Sequence, residues 1–314
     1  MIVAEGLTKQ YGEKLAVQNL SFTAPDGTVT GFLGPNGAGK STTMRMIAGL
    51  DEPTSGHVQV NGRNYRQAEA PMAELGILLE AKSVHTGRSA RNHLLALAQT
   101  NGIGKRRVDE VIDMVGLGEV AAKRVGGFSL GMGQRLGVAS ALLGDPHTVV
   151  LDEPVNGLDP EGVLWIRNLL RSLADEGRTV FVSSHLMSEM AQTATRLVVV
   201  GRGRLIADTS IEEFVAMAQG NTVLVRTPDA TPLRELLLAP DVTVSSSEPG
   251  LLEISGLSAE QIGDAAWRAH LRVHELTART ASLEEAFMQL TADAVEYHAS
   301  EPVAASNASK EYAA

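Results

Sequence analysis

Residues 34–42 read GPNGAGKST. The stretch fits the spacing G-x-x-x-x-G-K-[ST], follows the apolar run TVTGFL (28–33) and opens the helical pattern KSTTMRMIAGL (40–50). Strand, glycine-rich loop and helix in that order form the setting in which this spacing cradles phosphate. Glycines at Gly34, Gly37 and Gly39 let the backbone wrap closely, so N–H groups from Asn36 to Gly39, Ala38 included, turn toward phosphate oxygens. The helix N-terminus adds the positive end of its dipole. Lys40 is expected to reach the β- and γ-phosphates, with Ser41 supplying a hydroxyl to Mg²⁺ and Thr42 completing the loop. A plain glycine turn with a capped helix would explain fewer of these positions.

Working outward, four more apolar runs read as buried strands: GILLE (76–80), TVVLDE (148–153), TVFVSS (179–184) and RLVVV (196–200). Helical patterns follow two of them, EGVLWIRNLLRSLADEG (161–177) and LMSEMAQTAT (186–195). Strand and helix in alternation predict an α/β architecture, a mostly parallel sheet covered on both faces, and with the phosphate loop it resembles a P-loop NTPase. Between GILLE and TVVLDE lies a helix-rich insert with SARNHLLALAQTNG (89–102), KRRVDEVIDMVGL (105–117) and a helix that begins near VGGFSLGMGQRLGVA (125–139). It predicts a helical subdomain over about 82–143 inside a first domain spanning 1–216.

The pattern changes near residues 219–221. From there the order is strand TVLVRT (222–227), helix TPLRELLL (231–238), strand VTVSSS (242–247), strand LLEIS (251–255), helix SAEQIGDAAWRAHL (258–271), strand RVHELTA (272–278) and helix SLEEAFMQL (282–290). The β-α-β-β-α-β order predicts a small α+β, ferredoxin-like domain over 220–291. Residues 292–314 are Ala-, Ser- and Glu-rich and read as a flexible tail.

Bulk composition narrows the function classes. With 314 residues and a formal net charge of −10, the chain has room for a large core but little surplus of the Lys and Arg that phosphate-backbone binding needs. It has no cysteine, so thiolate chemistry and disulfides are excluded. No apolar run approaches the roughly 18–20 residues of a membrane span. The first residues, MIVAEGLTKQYG, lack a signal-peptide pattern. A cytoplasmic protein without a nucleic-acid partner is expected.

Residues 149–160, VVLDEPVNGLDP, deliver Asp152 and Glu153 to the C-terminal end of a buried strand, where open α/β sheets bind ligands. Asp152 suits the Mg²⁺ shell, and Glu153 is the expected general base for an attacking water. Asn156, Gly157, Leu158 and Asp159 read locally as a turn and a helix cap. His185 ends the next strand run and is expected on the same sheet edge, where an imidazole contacts the γ-phosphate and holds the water. Tyr11, in LTKQYGEKL (7–15), reads either as a surface aromatic on its strand or as a face stacked on adenine.

In this order, the motifs resemble those of the ATP-binding subunit of an ABC transporter. Tyr11 matches the family's adenine-stacking aromatic, GPNGAGKST its phosphate loop, VVLDEP its magnesium-and-base strand, GLD its dimer-contact loop and SSH its histidine switch. The resemblance covers residues 1–216 and implies ATP hydrolysis in a head-to-tail dimer, with Asp159 near the shared nucleotide. The family's signature is usually L-S-G-G-Q. This chain has Phe128, Ser129, Leu130, Gly131 and Met132, keeping the serine and the second glycine. The resemblance implies that Ser129, Gly131 and Met132 face the γ-phosphate held by the other copy. The signature then needs no lysine, because the partner copy's phosphate loop brings one.

The family's lid glutamine is replaced here by Glu80, whose carboxylate can still ligate Mg²⁺. The SLGM signature, the lid region and the SLEEAF segment look like the branch of drug-resistance-type exporter ATPases. Members of that branch work with a separately encoded membrane permease, on the inner face of the cell membrane, and export drugs, antibiotics or lipid-like cargo. GRSARN (87–92) reads equally as part of a permease-docking surface or as a loop with an N-cap at Ser89. The alternative is a soluble ABC-type ATPase with an assembly or regulatory role. A phosphate-loop kinase is a more distant third, since nothing resembles an acceptor site.

Glu80 would bring a third negative charge to Asp152 and Glu153, and like charges disfavour one another unless a cation intervenes. ATPase activity should therefore fall more steeply on lowering Mg²⁺ in the native protein than in Glu80→Gln. Superimposable Mg²⁺ titrations of the two proteins would overturn this expectation.

Overall fold

Strand β3 (Thr28–Leu33) lies in the middle of the largest sheet, with Val29 to Leu33 buried. The structure, a computed structural model, describes residues 1–79, 84–217, 222–279 and 282–291. Glu80, the junction at residues 219–221 and the expected tail over 292–314 lie outside the described residues.

Chain order before β3 is β1 (Ile2–Tyr11) and β2 (Lys14–Ala24); after it come α1 (Lys40–Ile47), β4 (Ser55–Val60), α2 (Pro71–Glu74) and β5 (Leu75–Leu78). The helices α3 (Ala90–Thr100), α4 (Lys105–Met114) and α5 (Leu130–Leu142) follow. Next are β6 (Thr148–Leu151), α6 (Pro160–Asp175), β7 (Thr179–Ser183), α7 (Met187–Thr193), β8 (Arg196–Gly201), β9 (Arg204–Ser210) and α8 (Ile211–Met217).

The largest sheet has the order β5-β6-β7-β3-β8-β9. Neighbours from β5 to β8 pair in parallel, and β9 closes one edge antiparallel to β8. The continuous apolar runs thus became strands buried on both faces, as their lack of alternation predicts. Parallel strands all point their C-termini to one edge, and β3, β6 and β7 are neighbours there. The phosphate loop, Asp152–Glu153 and His185 each follow one of these three strands. The α/β fold expected from the sequence is thereby confirmed.

A second sheet had no counterpart in the sequence reading. Strands β2-β1-β4 form an antiparallel layer that packs across α1 from the large sheet. Its strands alternate buried and exposed residues only loosely, because β1 is interrupted by register shifts around Gly6. Phe22 of β2 stacks against Phe32 of β3 and Phe181 of β7, with ring centroids 5.9 and 5.5 Å away, joining the two layers.

The insert folds as three helices. Ser89 caps α3 by accepting from Asn92 N at 3.2 Å. Residues 86–88 and 125–126 are stitched by backbone bonds, Val125 N to Arg88 O at 2.9 Å and Gly126 N to Thr86 O at 3.0 Å. On the far side, Trp165 of α6 donates to Met114 O at 3.2 Å while Arg135 of α5 lies 4.4 Å from its ring centroid. The guanidinium over an indole face is a cation–π contact that ties the helical layer to α6.

Strands β10 (Thr222–Arg226), β11 (Thr243–Glu248), β12 (Leu251–Ser255) and β13 (Glu275–Arg279) form an antiparallel sheet in the order β11-β12-β10-β13. Helices α9 (Ala230–Leu237) and α10 (Ala259–Arg268) share with it a separate apolar core of Val223, Val225, Leu233, Leu252, Ile254 and Ile262. This is the ferredoxin-like arrangement. β13 starts three residues later than the apolar pattern suggested. Arg272 is instead anchored to Asp229 by three bonds of 2.7 to 3.0 Å, and its carbonyl accepts from Thr227 at 2.6 Å.

Helix α11 (Leu283–Thr291) departs from the expected grouping. It leaves the small sheet and packs on α7 and α8, so that Leu283, Ala286 and Phe287 join Met187, Met190 and Phe214 in the large core. Its apolar face, spaced i, i+3, i+4, needed a partner that the small domain's own core did not offer. Phe287→Ala should therefore lower stability by about 3–5 kcal/mol, read from denaturant midpoints of the full chain. A loss below about 1 kcal/mol would mean that α11 adds little to the large core.

Candidate functional site

The loop between β3 and α1 closes on Gly39, which sits at φ 97° as the helix N-cap. A Cβ there would stand 2.6 Å from Ala16 O, so both backbone conformation and space require glycine. Lys40 Nζ curls over its own loop and donates to Gly34 O at 2.6 Å and Pro35 O at 3.3 Å. Burial pushes its ammonium below the ordinary lysine range, while the charges of Glu153 and Asp152 pull it back up. A desolvated cation ringed by backbone N–H groups is a strong attractor for an anion. The surrounding cleft is lined by Asn36 to Thr42 together with Lys14, Ala16, Asp152 and Glu153.

Two hard oxygens meet at the head of α1: Ser41 Oγ donates to Asp152 Oδ2 at 3.1 Å. Among the described residues no three His, Asp or Glu side chains gather into a protein-only metal centre. A small divalent cation would therefore complete its shell with phosphate oxygens and water, as Mg²⁺ commonly does.

Behind this pair stands Ser183, the last residue of β7. Its hydroxyl donates to Asp152 Oδ1 and accepts from Glu153 N, the latter at 2.9 Å. Glu153 itself has φ 50°, in the left-handed region that costs a non-glycine residue about 1–3 kcal/mol. Gln134 of α5, only 4% exposed, donates from Nε2 to Glu153 O at 3.1 Å and secures the carbonyl side of the same turn. The strained turn is thus held from two other elements. The Glu153 carboxylate accepts from His185 N at 3.3 Å and lies 2.7 Å from His185 Nδ1. An ionised carboxylate only accepts, so Nδ1 carries the proton in that contact.

Neither Ser183 nor Gln134 stood out in the sequence as a site residue. Their signals were faint: a serine closing an otherwise apolar strand, and a buried glutamine on a helix.

The Ser129–Met132 loop is apart from this cleft. Ser129 caps α5 by accepting from Met132 N at 3.2 Å, which leaves its own hydroxyl proton free to donate and uses up the Met132 N–H. The Leu130 and Gly131 N–H groups have no intrahelical partner in the first turn of a helix. The Met132 side chain packs against the large core. None of these residues lines the phosphate-loop cleft; Ser129 and Leu130 border a separate pocket with Thr86 and Phe128. Asp159 caps α6 by accepting from Gly162 N at 2.9 Å. Tyr11 also stands outside the cleft lining, 45% exposed, with its hydroxyl donating to Asp51 at 2.6 Å.

Leu130 stands where the resembled family has a glycine, and its side chain rests on Gly157. Gly157 has φ 76°, and a Cβ there would lie 2.3 Å from Leu130 Cδ2. The α5 cap and the turn before α6 are thus interlocked within one chain.

Comparisons with known proteins bear on the family and the fold. The family described as ABC transporter matches residues 17–156, and a domain of unknown function, DUF8746, matches residues 221–284. The bacitracin transport ATP-binding protein BcrA of Bacillus licheniformis is 42% identical over 68% of this chain and 71% of its own. The daunorubicin resistance ATP-binding protein DrrA3 of Streptomyces coeruleorubidus is 32% identical over 93% of this chain and 96% of its own. Among solved structures, the dimeric bacterial ABC transporter cassette MJ0796 superposes with a TM-score of 0.62 at 26% identity, covering 67% of this chain and 98% of that one. The resemblance drawn from the motifs is confirmed.

Gly157→Ala should cost about 2–4 kcal/mol, part from the left-handed backbone and part from overlap with Leu130. In a Leu130→Ala background the same change should cost only about 1–2 kcal/mol, the backbone part. Equal costs in both backgrounds, measured by denaturant unfolding, would show that Leu130 and Gly157 are not coupled.

Proposed function

The chain belongs to the ABC transporter family as an ATP-binding, ATP-hydrolysing subunit, and from that premise we propose that it powers export through a separately encoded membrane permease. The observation that carries the hydrolytic part is the Ser41–Asp152–Ser183–Glu153–His185 chain of hydrogen bonds at one sheet edge.

In this reading the N–H groups of residues 36–39 and the Lys40 ammonium hold the β- and γ-phosphates. Lys40 gives up its bonds to Gly34 O and Pro35 O for the triphosphate, and phosphate charge offsets its burial. Ser41 and Asp152 suit Mg²⁺, which when bound neutralises phosphate charge and polarises the γ-phosphoryl group. Glu153 accepts a proton from the attacking water. His185 steers the Glu153 carboxylate and contacts the γ-phosphate through its remaining ring edge. Tyr11 stacks on the adenine.

The second copy supplies Ser129 and the free N–H groups at Leu130 and Gly131, and its Asp159 turn lies alongside. The lack of overlap between the signature residues and the phosphate-loop cleft supports a site completed across a dimer. Met132 and Asp159 would then act by shaping their helix starts, with the Met132 N–H and Asp159 Oδ1 used within their own chain. Binding energy at two such shared sites closes the dimer, and hydrolysis reopens it.

Among the described residues no helix is long and apolar enough to cross a membrane, and in this reading the transport path is assigned to a permease. A groove between the end of α1 and the helical layer, walled by Arg45, Leu50, Leu79, Val84, His93 and Leu97, suits an apolar permease segment. The protein would work there, on the inner face of the membrane. The likeness to bacitracin- and daunorubicin-handling relatives supports an antibiotic-like or lipid-like cargo. The ATPase unit is proposed to span 1–216, with the small unit over 220–291 returning to it through α11.

Glu153→Gln tests the hydrolytic assignment. It should keep ATP affinity, lose about 10²–10⁴-fold in kcat and accumulate an ATP-dependent dimer by size-exclusion chromatography. Near-native turnover would remove Glu153 from the base role, and a monomer at saturating ATP and Mg²⁺ in the presence of the permease would remove the shared site.

A further inference from the structure

The Tyr11 ring is fixed by residues that the nucleotide chemistry does not use. Tyr11 is the last residue of β1, at a hairpin end, and a half-exposed ring there would ordinarily sample several rotamers. Its hydroxyl instead donates to Asp51 Oδ2 at 2.6 Å. Asp51 follows α1, its side chain is only 17% exposed, and Arg45 of that helix grips it with two bonds, Nε to Oδ2 at 2.9 Å and Nη2 to Oδ1 at 3.1 Å.

The strand and the segment after α1 are joined more widely. Lys9 Nζ donates to Glu52 O at 2.7 Å, Gln10 N to Thr54 Oγ1 at 3.0 Å, and Thr54 N to Thr8 O at 2.8 Å. Lys9 Nζ also stands 4.9 Å from the Tyr11 ring centroid, so one ring face is taken by a cation. The opposite face is the one left for a base.

We infer that Asp51 and Arg45 are positioning residues for the nucleotide base. They lock the Tyr11 ring to α1, the helix whose N-terminus carries the phosphate loop. The spacing between the stacking face and the phosphate cradle is thereby set before ATP arrives, and the cost of ordering the ring is not charged to binding. The inference rests on Tyr11 as the stacking residue.

The bond persists throughout the neutral range. The Arg45 guanidinium and the Tyr11 hydroxyl hold the Asp51 carboxyl down at about 2, so it stays a charged acceptor. Hydrogen bonding to that carboxylate also raises the Tyr11 hydroxyl above its ordinary value and keeps it a donor. A depressed carboxyl contributes its bond above its unfolded pKa and loses it only as pH falls through the folded one.

The test uses the full chain, steady-state ATPase kinetics, and inorganic tripolyphosphate as a competitor that carries the phosphates without a base. Tyr11→Phe keeps the ring and removes the bond. Asp51→Ala removes the acceptor from the other side. Each should raise KM for ATP about 3- to 10-fold, the size of one lost hydrogen bond, with the effect falling on KM rather than kcat. The double variant should be no worse than either single one, and Asp51→Glu should recover part of the loss. Inhibition by tripolyphosphate should be unchanged throughout.

If Tyr11→Ala leaves KM for ATP unaltered, the stacking reading itself fails. If Tyr11→Ala raises KM while Tyr11→Phe and Asp51→Ala do not, stacking stands and the positioning role is overturned. A parallel loss of tripolyphosphate affinity in Asp51→Ala would also overturn it, by showing damage to α1 rather than a misplaced ring.

Discussion

The hydroxyl of Ser183 is the point on which the proposed hydrolytic edge depends. It donates to Asp152 and accepts from Glu153 N, so one side chain at the end of β7 aligns two carboxylates at the end of β6. Without that bond the left-handed Glu153 would keep only the Gln134 contact on its carbonyl, and its carboxylate would be less firmly held against His185. The strained turn is held by contacts from β7 and α5. Strain held by neighbouring elements is a common way to keep a catalytic group aimed.

The proposed shared site can be read in the same terms. The Leu130 and Gly131 N–H groups at the start of α5 lack intrahelical acceptors by helix geometry. In the proposed dimer they meet the triphosphate of a second copy, in keeping with the absence of the signature residues from the lining of the chain's own phosphate-loop cleft. Leu130, resting on Gly157, joins the start of α5 to the turn before α6. That turn leads back to Glu153, so in the proposed dimer a contact at the start of α5 would bear on the proposed base. Trp165, between Arg135 and Met114, stiffens the connection between α6 and the helical layer.

Much of this was legible in the sequence. The phosphate loop, the Asp152–Glu153 pair and His185 were readable because each is a local motif at the end of an apolar run, and parallel strands necessarily bring such ends to one edge. The small domain was readable for a similar reason, since its strand and helix periods alternate cleanly. The antiparallel layer of β1, β2 and β4 was not: its strands are irregular in register, and their partners come from segments up to tens of residues apart. The destination of α11 was hidden too. Its apolar face was visible, but an amphipathic helix does not record which core will cover it.

What the sequence by itself determined is therefore the chemistry available and its order along the chain: a phosphate cradle with its lysine, two carboxylates, a histidine, and a second helix start without a charge. What only the tertiary structure decided is how those groups are held. Ser183 reaches Asp152 across 31 residues, and Asp51 reaches Tyr11 across 40. Short-range motifs are fixed by local backbone geometry and survive in any reading of the chain. Long-range hydrogen bonds exist only once packing has brought distant segments within about 3 Å, and no local pattern specifies that distance.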